Sequence, residues 1–213
     1  MSSTPSDLKA YYGRRAQEYE KIYDKPERQA ELAWLRERIP RLFARRNVLE
    51  IACGTGYWTQ YIAPAAKHVY ASDINEPVLE IAREKPMPAG KVTFVKGDAL
   101  TLESLPDGCD AAFAGFWWSH VPRQRLREFL DSLHARLEPG AGVVLLDNLY
   151  VEGNSTPIVE ADAHGNTYQL RQLGDGSRFR VMKNYPTKDE LRGLLPGVHY
   201  RALQYHWLAQ YKL

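Results

Sequence analysis

Cysteine is scarce. Cys53 and Cys109 are the two in 213 residues, too few for a disulfide framework and not in metal-ligand spacing, so no metal is expected. Long apolar runs are missing as well. The longest, Ala111 to Trp118, is far short of the ~20 residues that span a bilayer. No basic segment followed by a hydrophobic stretch opens the chain, so the expectation is a cytoplasmic protein with no membrane partner. Charge of one sign is also lacking: 28 basic against 26 acidic side chains leave +2, which is too balanced for a general nucleic-acid footprint. Arginines gather at Arg36, Arg38, Arg41, Arg45 and Arg46, and again at Arg123, Arg125 and Arg127. Glu31, Glu37 and Glu128 lie among them, as on solvated helix faces. No internal repeat or low-complexity linker interrupts the chain. What remains is ordinary globular composition rich in aromatics, with 13 Tyr and 5 Trp. This excludes disorder, collagen-like repeats and a coiled coil. The length fits one domain over 1–213.

Within it, residues 1–45 read as a helical cap. Leu8, Tyr11, Tyr12, Tyr19, Ile22 and Tyr23 recur at three- and four-residue steps, then Leu32, Leu35, Ile39, Leu42 and Phe43, with a kink expected at Pro40. Residues 46–150 change period. Short apolar runs at 47–51, 68–72, 92–96, 109–115 and 142–146 alternate with helical segments opened by Pro77 and Pro122, the pattern of a parallel sheet covered on both faces. The helix after Pro122 is expected to continue through Leu137. Residues 151–185 form an insertion with a hairpin signal at Gly174-Asp175-Gly176. Residues 186–213 hold a helix capped by Thr187 and Glu190, then two strand-like runs.

The sharpest local feature is Glu50-Ile51-Ala52-Cys53-Gly54-Thr55-Gly56, where a strand meets glycines and then a helix. Glycine serves where a ligand approaches the backbone or φ must be positive, and a helix start offers free amides. A dinucleotide site is one reading, although Thr59 stands where its third glycine would be; a turn without a ligand is another. A second run ends at Asp73, where an acid can accept from both ribose hydroxyls. A third ends in Gly97-Asp98-Ala99, a carboxylate and an amide able to meet an adenine edge.

Taken together, these motifs closely resemble the class I S-adenosyl-L-methionine-dependent methyltransferases over roughly residues 45–150. The resemblance implies an α/β fold: a doubly wound, seven-stranded, Rossmann-like sheet with its last strand antiparallel. It also implies S-adenosyl-L-methionine as cofactor. The glycine loop (Glu50, Ala52, Cys53, Gly54, Thr55, Gly56) would hold the methionyl part, Asp73 with Ile74 the ribose, and Asp98 and Ala99 the adenine, with Gly115 and Phe116 at the end of the fourth run. The stretch Tyr11-Tyr12-Gly13-Arg14-Arg15-Ala16 resembles an opening helix folded over the cofactor. In that case Tyr11 and Tyr12 lie beside the sulfonium and Arg15 near the carboxylate.

The fourth run ends Gly115-Phe116-Trp117-Trp118-Ser119-His120, unlike the Asn/Asp-Pro-Pro-Tyr of exocyclic amino methylation in DNA, and no Pro-Cys nucleophile is present. A nucleic-acid acceptor is therefore not expected. His120 stands where open α/β sheets bind ligands and is the candidate base; a histidine that only shapes the loop is the alternative. Trp117, Trp118, Asn148, Tyr150, Tyr168, Arg171 and Arg178 are candidate substrate-binding residues. His68, His134, His199 and His206 form no ligand cluster. The expected activity is methyl transfer to an O, N or carboxylate nucleophile of a small molecule, by a monomer or homodimer. RNA or protein methylation, an NAD-dependent oxidoreductase and a non-catalytic nucleoside-binding module are the alternatives.

Overall fold

The computed structural model describes residues 5–195 and 197–213, so the first four residues of the expected helical cap lie outside the described residues. Helix α1 spans Pro5–Arg14 and α2 spans Gln29–Leu42. Between them the chain is not α-helical as expected but tightens into 3₁₀ turns at Ala16–Tyr23 and Pro26–Arg28. Pro40 falls in the last turn of α2, and the helix ends two residues later.

Strand β1 (Asn47–Ile51) leads into the short helix α3 (Thr59–Ile62), which Pro64 cannot extend. Then come β2 (His68–Asp73), α4 (Glu76–Glu84), β3 (Val92–Lys96), β4 (Cys109–Gly115), α5 (Leu126–Ala135) and β5 (Leu137–Asn148). Helix α5 stops earlier than its apolar stripe suggests, because Leu137 joins β5 opposite Cys109. Strands β6 (Ile158–Ala161), β7 (Thr167–Gln172) and β8 (Arg178–Met182) follow, then α6 (Lys188–Leu194), β9 (His199–Ala202) and β10 (His206–Lys212). All four residues of β6 are exposed, so no buried alternation marked it in the sequence. The capping box of Thr187 and Glu190 is present as expected.

The main sheet has seven strands in the order β3-β2-β1-β4-β5-β10-β9. Strands β3 to β5 pair in parallel and β10 runs antiparallel to β5 and to β9. Successive side chains of a strand point to opposite faces, so β1 serves both layers. Leu49 and Ile51 pack with Phe129, Leu130 and Leu133 of α5. Val48 packs with Leu32, Leu35 and Ile39 of α2. The order reverses between β1 and β4, and the crevice outside the carboxyl ends of strands at such a switch point is where open α/β sheets bind ligands. A separate antiparallel sheet β6-β7-β8 carries the insertion, and α1 contacts its β8 strand.

Candidate active site

Two adjoining cavities open at the switch point and share Tyr12, Tyr19, Phe116 and His120 as a common wall. The first is lined by Ala52 and Gly54 after β1, Asp73 and Ile74 at the end of β2, Asp98, Ala99 and Leu100 after β3, and Gly115 to Trp117 at the end of β4. The backbone is bent to make this floor. Ala52 and Phe116 both take positive φ, 52° and 60°, a conformation that costs non-glycine residues and gathers at ligand sites. A Cβ on Gly115 would sit 2.9 Å from the Phe113 ring, so only glycine fits there. Asp73 joins the parts: its Oδ2 accepts the Gly54 N–H at 3.1 Å and its Oδ1 the Asn75 N–H at 2.8 Å. The segment 16–23 lies over the same loop. Glu20 Oε1 accepts from the Thr55 hydroxyl at 2.6 Å and pairs with Lys85 at 2.8 Å, while the Tyr19 ring lies 3.5 Å from where a Gly54 Cβ would stand.

The second cavity is roofed by the insertion. Arg15, Lys25, Arg28, Arg171 and Lys183 line it, and among the described residues no Asp or Glu does. Neutral oxygens hold several of these cations. Arg28 donates to Asn148 Oδ1 (3.1 Å) and Asn154 Oδ1 (2.6 Å), and Arg171 to Gln169 Oε1 (2.8 Å). Arg28 Nε is buried and has no hydrogen-bond partner. Lys183 differs: it is buried, donating to Ser119 Oγ at 2.6 Å and Asp147 Oδ1 at 2.9 Å. The Ser119 N–H in turn donates to Asp147 Oδ2 at 2.9 Å.

His120 stands between the cavities with both ring nitrogens engaged. Nδ1 lies 2.7 Å from the Met182 carbonyl. A carbonyl only accepts, so Nδ1 carries the proton and Nε2 accepts the Tyr12 hydroxyl at 2.8 Å. Burial, and then the charges of Lys183 and Arg171, hold the imidazole well below its ordinary pKa. It is neutral, and its lone pair is already used.

The structure sorts the expected residues. Ala52, Gly54, Asp73, Ile74, Asp98, Ala99, Gly115, Phe116, Tyr12 and His120 line the first cavity. Glu50, Cys53, Thr55 and Gly56 lie behind that surface, and a Cβ on Gly56 would come 3.1 Å from Ala82. Burial pushes the Cys53 thiol up. Tyr11 does not reach the first cavity: it is buried against Leu173 and Val181 of the insertion. Arg15 lines the second cavity instead, its guanidinium over the Tyr11 and Tyr19 rings. Trp117 lines the first cavity and not the second. Trp118 is core, edge-on to Trp207. Asn148 and Arg171 do line the second cavity. Tyr150 does not; it packs on Tyr185. Tyr168 is buried, donating to Asp162 with Arg180 over its ring, and Arg178 is exposed at the start of β8. Lys25, Arg28, Gln169, Lys183, Tyr185 and His206 went unread because they reach the cavity from four separate segments. Lys183 alone carried a signal, as a cation ending an alternating strand.

A family model described as "Methyltransferase domain" matches residues 48–140. A demethylmenaquinone methyltransferase of Clavibacter sepedonicus is 33% identical over 104 residues, 49% of this chain and 42% of that protein, so the chain spans well under half the length of this relative. Among solved structures, a DhpI–SAM–HEP complex aligns with TM-score 0.78 and 26% identity over 98% of this chain and 99% of that one. A DhpI–SAH complex aligns with TM-score 0.77 over 96% and 94%. With the strand order, the glycine loop and Asp73 in their places, residues 48–140 form a methyltransferase domain, and over nearly its whole length the chain is similar to a solved S-adenosyl-L-methionine-binding protein of this fold.

Proposed function

We propose that this protein transfers the methyl group of S-adenosyl-L-methionine to a small anionic molecule held in the second cavity. The observation that carries this reading is the shared wall. A cavity suited to a nucleoside abuts one lined by five cationic side chains and, among the described residues, no acid.

The residues of the first cavity fit the cofactor. Asp73 offers a carboxylate for ribose hydroxyls; Ala99 and Leu100 offer backbone and apolar surface for a base. The Trp117 indole N–H is buried there with no hydrogen-bond partner. When bound, the cofactor supplies an electrophilic methyl group on a sulfonium. The protein's contribution is alignment and the exclusion of water. Tyr12, Tyr19 and the segment 16–23 close the crevice, and Arg28, Arg171 and Lys183 orient the acceptor, since guanidinium forks suit oxyanions. The DhpI complex, which holds SAM and HEP in one protein of this fold, supports a small-molecule acceptor, as does the demethylmenaquinone methyltransferase. Against RNA or a protein surface, the arginine-rich helices are occupied: Arg41 pairs with Glu37, Arg46 with Asp110, Arg123 with Glu190 and Arg125 with Glu128. Among the described residues no helix is long and apolar enough to cross a membrane, and no group of His, Cys, Asp or Glu could hold a metal ion.

Calorimetry against S-adenosylhomocysteine and NAD tests the cofactor. Binding of the former alone is expected, and Asp73→Ala should weaken it by about 1–3 kcal/mol, the scale of hydrogen bonds to a charged group. Binding of NAD instead would restore the oxidoreductase reading. A metabolite extract with labelled methyl donor tests the acceptor: label is expected in small anionic products. Label only in RNA or protein would overturn the proposal, and cofactor binding without any acceptor would favour the non-catalytic module.

In this reading His120 holds Tyr12 at the shared wall and is not the base. His120→Gln and Tyr12→Phe should each slow turnover, and the double variant should be no slower than the worse single, because coupled neighbours are non-additive. If His120→Gln alone fell by about 10²–10⁴-fold while Tyr12→Phe stayed normal, general-base catalysis would be the better account.

A further inference from the structure

The polar groups facing the second cavity are mostly donors. The oxygens that might balance them are committed: Asn148 Oδ1 and Asn154 Oδ1 to Arg28, and Gln169 Oε1 to Arg171. His120 Nε2 is committed to Tyr12. His206, at the start of β10, also lines this cavity, edge-on to Phe116 of the shared wall at 5.8 Å between ring centroids. Its Nδ1 lies 2.8 Å from Glu31 Oε2. Glu31 comes from α2, is not part of the cavity lining, and is itself anchored by the Gln204 and Tyr205 N–H groups. A carboxylate draws the proton to Nδ1, so Nε2 keeps its lone pair. Burial and the nearby Arg28 charge favour the neutral ring despite Glu31.

Resting on the anionic-acceptor reading, we infer that His206, oriented by Glu31, receives a hydrogen bond from an O–H or N–H group of the methyl acceptor. The acceptor is then a small molecule carrying both an anionic group, bound by Arg28, Arg171 and Lys183, and a separate hydroxyl or amine. His206 sets specificity by leaving its buried lone pair unmet when that second group is missing.

Acetate and glycolate, which differ by one hydroxyl, are the probes, titrated into the full chain with S-adenosylhomocysteine present. Wild type should favour glycolate about five- to tenfold, the scale of one hydrogen bond. His206→Leu should erase the preference while leaving acetate affinity within about twofold. With 15N-histidine labelling, the unprotonated Nε2 signal of His206 should move with glycolate and not with acetate, a readout that needs no variant. Equal binding of the two anions by wild type, or a glycolate preference that survives in His206→Leu, would overturn the inference and leave the anionic site standing. Failure of both anions to bind would overturn the anionic site and the inference together.

Discussion

Asp147→Asn is expected to lower the unfolding free energy by about 3–5 kcal/mol, because removing one partner of a buried ion pair leaves the other charge unmatched. Asp147 is fully buried at the end of β5, and the Lys183 ammonium against it is also buried. Burial alone pushes the Asp147 carboxyl up. The charge and hydrogen bond of Lys183, with the Ser119 N–H, more than offset this, and the group ends below its ordinary range. An acid whose folded pKa is depressed adds stability above its unfolded value and loses it as pH falls through the folded one. Urea unfolding should therefore show the deficit of the variant in full at pH 7 and shrinking below about pH 4. Lys183→Met with Asp147→Leu should recover much of the loss, since apolar replacement of a whole buried pair is often neutral. A deficit below about 1 kcal/mol at pH 7 would mean that the pair is solvated. The placement of Lys183 against Ser119 and Asp147 ties the insertion to the ends of β4 and β5, so Asp147→Asn should also weaken acceptor binding.

Glu50→Gln should move stability the other way. Glu50 is 1% exposed beneath the glycine loop, its Oε2 has no hydrogen-bond partner, and burial pushes its pKa up to about 8. The folded state keeps it protonated at neutral pH, whereas the unfolded chain ionises it above its ordinary value of 4.5. Its contribution is fully present below that value and is lost as pH rises toward 8. The gap at pH 7 is worth about 3 kcal/mol, from 1.36 kcal/mol per pKa unit. The glutamine variant should match wild type near pH 4 and exceed it by that amount at pH 7. A variant destabilised at pH 7, with a deficit that shrinks toward pH 4, would show that the carboxylate is ionised and paired in the fold. The two acids lie on β1 and β5, on either side of β4, yet give opposite pH slopes, because only Asp147 has a cation against it.

Much of the fold was legible because its elements are locally encoded. The runs of β1, β2 and β4 are short and largely buried, α4 begins at Pro77's turn, and α6 announces its capping box. The first cavity was legible for the same reason. Gly54, Asp73, Asp98 and Gly115 each lie at a strand's end or within three residues of it, and parallel strands deliver their carboxyl ends to one edge. What failed lay where neighbours outweigh local pattern. Tyr11 and Tyr12 are adjacent in sequence, yet one packs into the insertion and the other faces both cavities, a difference set by the docking of α1 on β8. Trp117 and Trp118 diverge in the same way.

By itself, then, the sequence determined the parallel sheet and the edge where the glycine loop and the strand-end acids meet, since glycine turns and strand-end acids act through backbone geometry within a few residues; the class of cofactor came with the family resemblance. The second cavity was decided only by tertiary structure. Arg28, Asn148, Arg171, Lys183 and His206 converge from α2's approach, β5, β7, the end of β8 and β10. Which of them meet, and which nitrogen of His120 or His206 keeps a lone pair, depends on partners that lie 62 and 175 residues away. No local pattern encodes those distances; only the packed chain brings the partners within hydrogen-bond range.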